Sequence, residues 1–414
     1  MDHLAQTWNI YRPNQPLIER LYAMQAGEDN ADGFVGALLE YGNRRGVCGD
    51  LWKHYIADWL ACDQNAYAAA CERQDPTPFM RRLAEAEAPA LYNLFHADLS
   101  QCKAIPRAIA QSLTHATCQS VCDAPSAQIR ELCAQLDAAP DPIAFLDTIQ
   151  AYYKQHGVGD LGIYTAFHIQ KPDPTRPLAL CPIAQPDVRK FDQIVGYELQ
   201  KRQVADNTLA FLAGKPANNV LLYGDGGTGK STTVKALLGE YAPQGLRIVE
   251  IYKHQFALIG EVIRLLRTRN YKFLLYFDDL SFEEFETEYK YFKAIIDGGL
   301  ERRPDNMLIY ATSNRRHLIR EKFSDKNDME FTDDLHRSDT LQEKLSLAAR
   351  FGLSLFYPSP TQQEYLHIVR ELATRNRIDL PSDELDARAL QWQMRNSGKS
   401  GRSAQQFIDS LQSV

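Results

Sequence analysis

The chain reads as an α/β protein: a parallel sheet with helices on both faces, followed by a C-terminal helical lid and preceded by a mostly α-helical N-terminal domain. Three observations predict this. Gly224-Asp225-Gly226-Gly227-Thr228-Gly229-Lys230-Ser231 fits G-x-x-x-x-G-K-[ST] and lies between an apolar stretch, residues 220–223, and a helical pattern that starts at Lys230. A second apolar stretch, residues 273–277, ends in Asp278-Asp279. From residue 199 onward, strand-like and helix-like segments alternate, which implies a parallel sheet covered on both sides.

The elements follow in order. Residues 16–26, 33–44, 51–62, 78–96, 127–138 and 143–156 carry apolar side chains three and four apart and are predicted helices. Residues 179–189, with Pro177, Pro182 and Pro186, read as an extended linker. The alternation then runs helix 199–213, strand 220–223, helix from 230, strand 246–251, helix 256–268 and strand 273–277. A helix at 284–296 and strands at 307–312 and 353–357 follow. Past Pro358 the pattern is wholly helical. Thr361-Gln362-Gln363-Glu364 is a capping box that opens a helix to about Arg375, and helices 383–395 and 402–411 complete the lid. The expected domains are therefore 1–188, 189–357 and 358–414.

Each motif implies chemistry. Glycines let the backbone of residues 224–229 turn its N–H groups inward on a phosphate, and the helix N-terminus adds partial positive charge. Lys230 would reach the β- and γ-phosphates, and the Ser231 hydroxyl would ligate Mg²⁺. Thr232 completes the predicted phosphate-binding set of Gly224, Asp225, Gly226, Gly227, Thr228, Gly229, Lys230 and Ser231. A hydrophobic strand that delivers an acid beside such a loop supplies the magnesium shell, and Asp278 takes that role. Asp279 is the candidate for polarising an attacking water. It is one methylene shorter than glutamate, and Glu283 just beyond is the alternative.

Composition narrows the function further. The 414 residues favour two domains, and 44% hydrophobic content suffices for their cores. A net charge of −7 argues against a broad nucleic-acid-binding surface. No apolar run reaches about eighteen residues, so membrane insertion is not expected. Met1-Asp2-His3-Leu4 lacks the basic and apolar regions of a signal peptide. All 8 cysteines lie at or before Cys181, which suits free thiols in a cytoplasmic protein. His115, Cys118 and Cys122, with Cys133 nearby, fall at helical spacing. Without a paired C-x-x-C they read as a thiol-lined packed face rather than a metal site.

Further motifs carry a family resemblance. Thr312-Ser313-Asn314, at the end of strand 307–312, resembles sensor 1 of AAA+ ATPases. Residues 343–353, which contain Arg350-Phe351, resemble the segment ending in the arginine finger, especially in the replication-initiator and helicase-loader branch. Arg402 resembles sensor 2. Residues 191–197, with Val195 and Gly196, are similar to the segment that lines the adenine pocket. More narrowly, residues 278–283, 310–318 and 401–407 resemble the bacterial AAA+ proteins of the domain of unknown function family 815. That resemblance covers about residues 157–414.

It implies ATP and Mg²⁺ as ligands. Asp279, Asn314, Arg350 and Arg402 would be the catalytic set, with Arg350 supplied by a neighbouring copy in a homo-oligomer (a ring or open spiral). The function expected is an ATPase that remodels or loads a protein or nucleic-acid client. A nucleotide-dependent scaffold with little turnover is the alternative. A small-molecule kinase ranks last, because phosphate transfer within one chain needs neither Arg350 nor a terminal lid. Arg302-Arg303, Arg315-Arg316-His317 and the acid-rich residues 324–340 are candidate partner-facing segments; for the last, a solvated loop is the simpler reading. Tyr252-Lys253 lies where some AAA+ machines grip substrate, but it lacks a glycine partner.

Overall fold

A computed structural model describes residues 10–11, 16–26, 31–73, 75–117, 124–173, 175–282, 292–293, 296, 304–314, 349–396 and 398–412. The chain divides into two compact units, Met1–Tyr164 and Thr165–Val414.

The first unit is helical: α1 (Pro16–Ala26), α2 (Ala31–Arg45), α3 (Leu51–Cys62), α4 (Ala66–Arg73), α5 (Pro78–Phe95), α6 (Arg107–Thr114), α7 (Ala124–Asp137), α8 (Pro142–His156) and the single turn α9 (Asp160–Ile163). Helix α3 buries a mostly apolar side that also takes in His54 and Asp58, and it is N-capped by Asp50, whose carboxylate accepts from the Trp52 and Lys53 amides. Its Trp52 indole donates to the Leu94 carbonyl at 2.8 Å, so the largest fully buried side chain of this core also makes a polar tie to α5. Buried Glu87 accepts from the Ile10 and Tyr11 amides at 3.0 Å each and anchors the segment before α1. Buried Cys133 belongs to this core, and burial pushes its thiol up to about 12. Cys118 and Cys122 lie outside the described residues, and among the described residues no cluster of acids, histidines and thiols is arranged to hold a metal.

The second unit contains a seven-stranded sheet in the order β2-β1-β4-β5-β6-β3-β7. Its strands are β1 (Ala166–Gln170), β2 (Ala179–Pro182), β3 (Val220–Gly224), β4 (Leu246–Glu250), β5 (Lys272–Phe277), β6 (Met307–Ser313) and β7 (Leu353–Tyr357). Every pairing is parallel except β1 with β2, which is antiparallel. Every residue of β6 is buried, as expected of a parallel strand covered on both faces. Helices α10 (Glu198–Leu212) and α11 (Lys230–Tyr241) cover one face through Val204, Phe211, Val234 and Leu237. On the other face Phe256, Phe277, Phe282 and Phe292 pack ring on ring, beside α12 (Ile259–Leu266).

Two expectations need correction. Residues 179–189 are not a free linker, and the N-terminal unit does not run to 188. Residues 179–182 form strand β2, which pairs with β1, so the sheet begins at residue 166. Residues 188–189 lie against α11 so closely that a Cβ at Gly239 would meet the Arg189 carbonyl at 2.1 Å. Lys235 on α11 pairs with Asp187 at 3.0 Å. The units therefore divide at Tyr164/Thr165. The predicted helix 284–296 falls almost wholly outside the described residues. So do Glu283, Arg302-Arg303, Arg315-Arg316-His317 and residues 324–340.

The C-terminal helices α13 (Gln362–Arg375), α14 (Ser382–Arg395) and α15 (Gly401–Gln412) have their own core of Tyr365, Ile368, Val369, Leu385, Phe407 and Ile408. The capping box at Thr361 is formed: its hydroxyl accepts from the Glu364 amide and Glu364 accepts from the Thr361 amide. Among the described residues no helix is long and apolar enough to cross a membrane.

Candidate functional site

Strand β3 lies between β6 and β7, and the chain leaves β3 for β4 on one side but leaves β6 for β7 on the other. Connections that part in this way open a crevice at the carboxyl ends of the strands, where α/β sheets bind ligands. The glycine-rich loop stands there. Gly224 has φ +138°, and a Cβ on it would meet the Tyr357 carbonyl at 2.1 Å, so the strand ends flush against β7 only with glycine. Gly227 and Gly229 take φ +75° and +91°, which turn the loop into α11.

Side chains hold the loop in place. Thr228 Oγ1 donates to the Asp225 carbonyl at 2.8 Å, and Asp225 Oδ2 accepts from the Ser359 amide at 2.8 Å. The Ser359 contacts keep the Asp225 carboxyl below its usual range. Lys230 is only 6% exposed, and its ammonium donates to the Gly224 and Asp225 carbonyls at 2.9 and 2.5 Å. Burial lowers its pKa against the pull of Asp225, Asp279 and Asp278, and Arg402 adds to the lowering. Thr232 sits half-buried in the first turn of α11.

The acids arrive from β5, two strands away, with β6 between. Asp278 Oδ1 accepts from Ser231 Oγ at 2.7 Å, from Tyr276 Oη at 2.7 Å and from Thr312 Oγ1 at 2.6 Å. Partial burial pushes this carboxyl up, but the three hydroxyls outweigh it and hold the pKa below the usual value. Asp279 adopts a left-handed φ of +49°, its amide donates to Thr312 Oγ1 at 2.9 Å, and its Oδ1 accepts from Asn314 Nδ2 at 2.7 Å. The Leu280 amide donates to the Thr312 carbonyl at 2.7 Å, so β6 ties down the whole acidic turn.

The lid reaches the loop directly. The Arg402 amide, in the first turn of α15, donates to the Gly227 carbonyl at 3.3 Å. A Cβ on Gly227 would stand 3.0 Å from Ser400 Oγ and 3.1 Å from Arg402 Cβ. Beside the loop, Ile194 Cγ2 lies 3.7 Å from where a Gly229 Cβ would be, Val195 packs on the lid core and Gly196 has φ +81°. A cavity of about 500 Å³ opens between this segment and α13, lined by Phe191, Val195, Gly196, Lys201, His367 and Arg375. Arg375 closes one end by donating to the Asp192 carbonyl at 2.7 Å.

Lys230, Ser231, Asp278, Asp279, Asn314 and Arg402 are thus brought together, and Arg350 is not. Strand β7 runs parallel to β3, with Leu353 beside Val220 and Tyr357 beside Gly224. Arg350 precedes Leu353 and so lies at the opposite end of the sheet from the loop, a strand length of about 17 Å away.

Sequence reasoning did not single out Tyr276 or pick out the Thr312 hydroxyl. The signal was present: each precedes a predicted site residue, Asp278 or Asn314, by two positions, the period of a strand, and that residue lies just past the strand's end.

A glycine-rich loop on an inner strand of a mostly parallel sheet, an acid pair clamped by the neighbouring strand and a helical lid seated on the loop together define the AAA+ P-loop fold. The chain belongs to the family described as protein of unknown function DUF815, whose profile matches residues 164–414. That match and the second compact unit begin within one residue of each other. Comparison with curated proteins found no match. Among solved structures, the chain is similar to the FIGL-1 AAA domain in complex with ADP, at 18% identity over 55% of this chain and 75% of that one, with a TM-score of 0.38. It is similar to the Thermotoga maritima RuvB Holliday junction branch migration motor, at 14% identity over 53% and 71% of the two chains, with a TM-score of 0.32. It is also similar to the replication initiator DnaA bound to AMPPCP and single-stranded DNA, at 19% identity over 53% and 62%, with a TM-score of 0.36.

Proposed function

We propose that this protein binds ATP with Mg²⁺ and hydrolyses it at interfaces between its own copies, using the cycle to remodel or load a macromolecular partner. One observation carries the reading: Lys230, Ser231, Asp278, Asp279 and Asn314 converge at the carboxyl end of the sheet around a loop in which Gly224, Gly227 and Gly229 take positive φ. The residues fit both ligands. Space is open beside Gly226, where a Cβ would meet nothing within 4 Å. Ser231 and Asp278 are hard oxygen donors within 2.7 Å of each other, the donor type that Mg²⁺ takes.

In this reading the amides of Gly224–Ser231 and Thr232 cradle the phosphates, and Lys230 exchanges its two carbonyl contacts for phosphate oxygens. Ser231 and Asp278 hold Mg²⁺, which when bound neutralises charge on the transferring phosphoryl group. Asp279 accepts a hydrogen bond from the attacking water, and Asn314 fixes its carboxylate. Val195 and Gly196 border the base. Arg402 follows the phosphates and draws the lid with it, while Arg350 serves the site of a neighbouring copy. The client, protein or nucleic acid, is recognised elsewhere.

A second reading, a nucleotide switch with little turnover, is favoured by Asp279 itself: its carboxylate is short and already engaged by Asn314. Phosphate release by the full chain decides between the two. Asp278→Asn should lower the apparent Mg²⁺ affinity about 10- to 100-fold, since an amide is a poorer partner for the metal shell. Unchanged Mg²⁺ dependence would place the metal elsewhere. Asp279→Asn should retain ATP binding and lose phosphate release, giving a trapped state suited to capturing the client. Undiminished release would assign the water to another group.

A further inference from the structure

The three hydroxyls on Asp278 do not have equal standing. A serine, threonine or tyrosine hydroxyl has one proton to give, and a carboxylate oxygen has two lone pairs to fill. Ser231, Tyr276 and Thr312 all spend that proton on Oδ1, and none of these side-chain hydrogen bonds goes to Oδ2. Tyr276 and Thr312 alone are enough to fill Oδ1. Ser231 can therefore turn its hydroxyl toward a metal without loosening the carboxylate.

Thr312 has a second task. Its oxygen accepts the Asp279 amide at 2.9 Å while its proton goes to Asp278, so a single hydroxyl links two consecutive acids. The direction of the relay is unambiguous, because an amide can only donate and an ionised carboxylate can only accept. Thr312 is 1% exposed and Tyr276 is 5% exposed, so neither hydroxyl has ready exchange with water.

Resting on the ATP and Mg²⁺ reading above, we infer that Tyr276 and Thr312 are positioning residues that pin Asp278 Oδ1, leaving Oδ2 for the metal shell and Ser231 free to join it. Their role belongs to the magnesium-bound state and not to nucleotide binding as such. Outer-shell partners of this kind contribute about 10- to 100-fold to metal affinity.

The test is equilibrium binding of a fluorescent ATP analogue to the full chain, in Mg²⁺ and in EDTA, with thermal unfolding as a control. The wild type should bind more tightly in Mg²⁺. Thr312→Val and Tyr276→Phe should keep the EDTA affinity and lose about tenfold of the Mg²⁺-dependent gain. Thr312→Ser, which retains the hydroxyl, should keep that gain. If both Thr312→Val and Tyr276→Phe keep the full gain, or if their affinities fall equally in Mg²⁺ and EDTA, the inference is overturned while the nucleotide reading stands. A wild type that binds no nucleotide in either condition overturns that reading and this inference with it. Should Thr312→Val fail to fold, Tyr276→Phe decides alone, since it removes one hydroxyl and leaves the ring in place.

Discussion

Arg350→Ala is expected to bind ATP as tightly as the wild type and to hydrolyse it about 10³–10⁵-fold more slowly, the range a finger arginine contributes where it has been measured. The reason lies in the sheet. The parallel pairing of β3 and β7 sets Arg350 at the end of the sheet opposite the glycine-rich loop of its own chain. If it serves a neighbour, specific activity of the wild type should rise with protein concentration as copies associate. Mixing Arg350→Ala with Lys230→Ala should restore part of the activity, because each copy contributes the group that the other lacks. Activity independent of concentration, with no rescue on mixing, would reject a shared site and favour a monomeric switch.

Lys230→Ala should weaken ATP binding by about a hundredfold or more. A hydrogen bond to a charged group is worth about 1.5–3 kcal/mol, and the ammonium now shared between two carbonyls would face two phosphate groups. Its present partners are main-chain oxygens of the loop itself, so the side chain is already held where the phosphates would lie. The measurement is fluorescent-ATP titration, with the melting temperature as a check that the loop survives. Wild-type affinity in a folded Lys230→Ala protein would refute the phosphate-loop assignment.

Much of the candidate site's architecture was legible because its parts are contiguous. Glycine spacing sets backbone angles locally, so residues 224–231 declare a turn into a helix wherever they occur. Strand β5 with Asp278-Asp279, strand β6 with Asn314, and the Thr361 capping box are likewise short-range signals, and each element forms as expected. Strands β1 and β2 were missed for the converse reason. Pro182 and its neighbouring prolines mimic a linker, and only pairing reveals a strand. Phe167 faces Pro182 across an edge, where a missing amide costs the ladder little.

What the sequence determined by itself, then, is the set of local geometries: a loop able to cradle phosphate, an acid pair at a strand end, a polar residue closing β6, and helices with caps. What only the tertiary structure decided is which of these meet. Strand order places β6 between the loop and the acids, which puts Thr312 against both Asp278 and Asp279. It seats α15 on Gly227 and carries Arg350 to the far end of the sheet. Residues 188–189, which look unattached in sequence, lie along α11 because Gly239 has no side chain to keep them off. Backbone preference acts over a few residues, whereas these contacts join segments tens to more than a hundred residues apart, so only the packing of the whole sheet selects them.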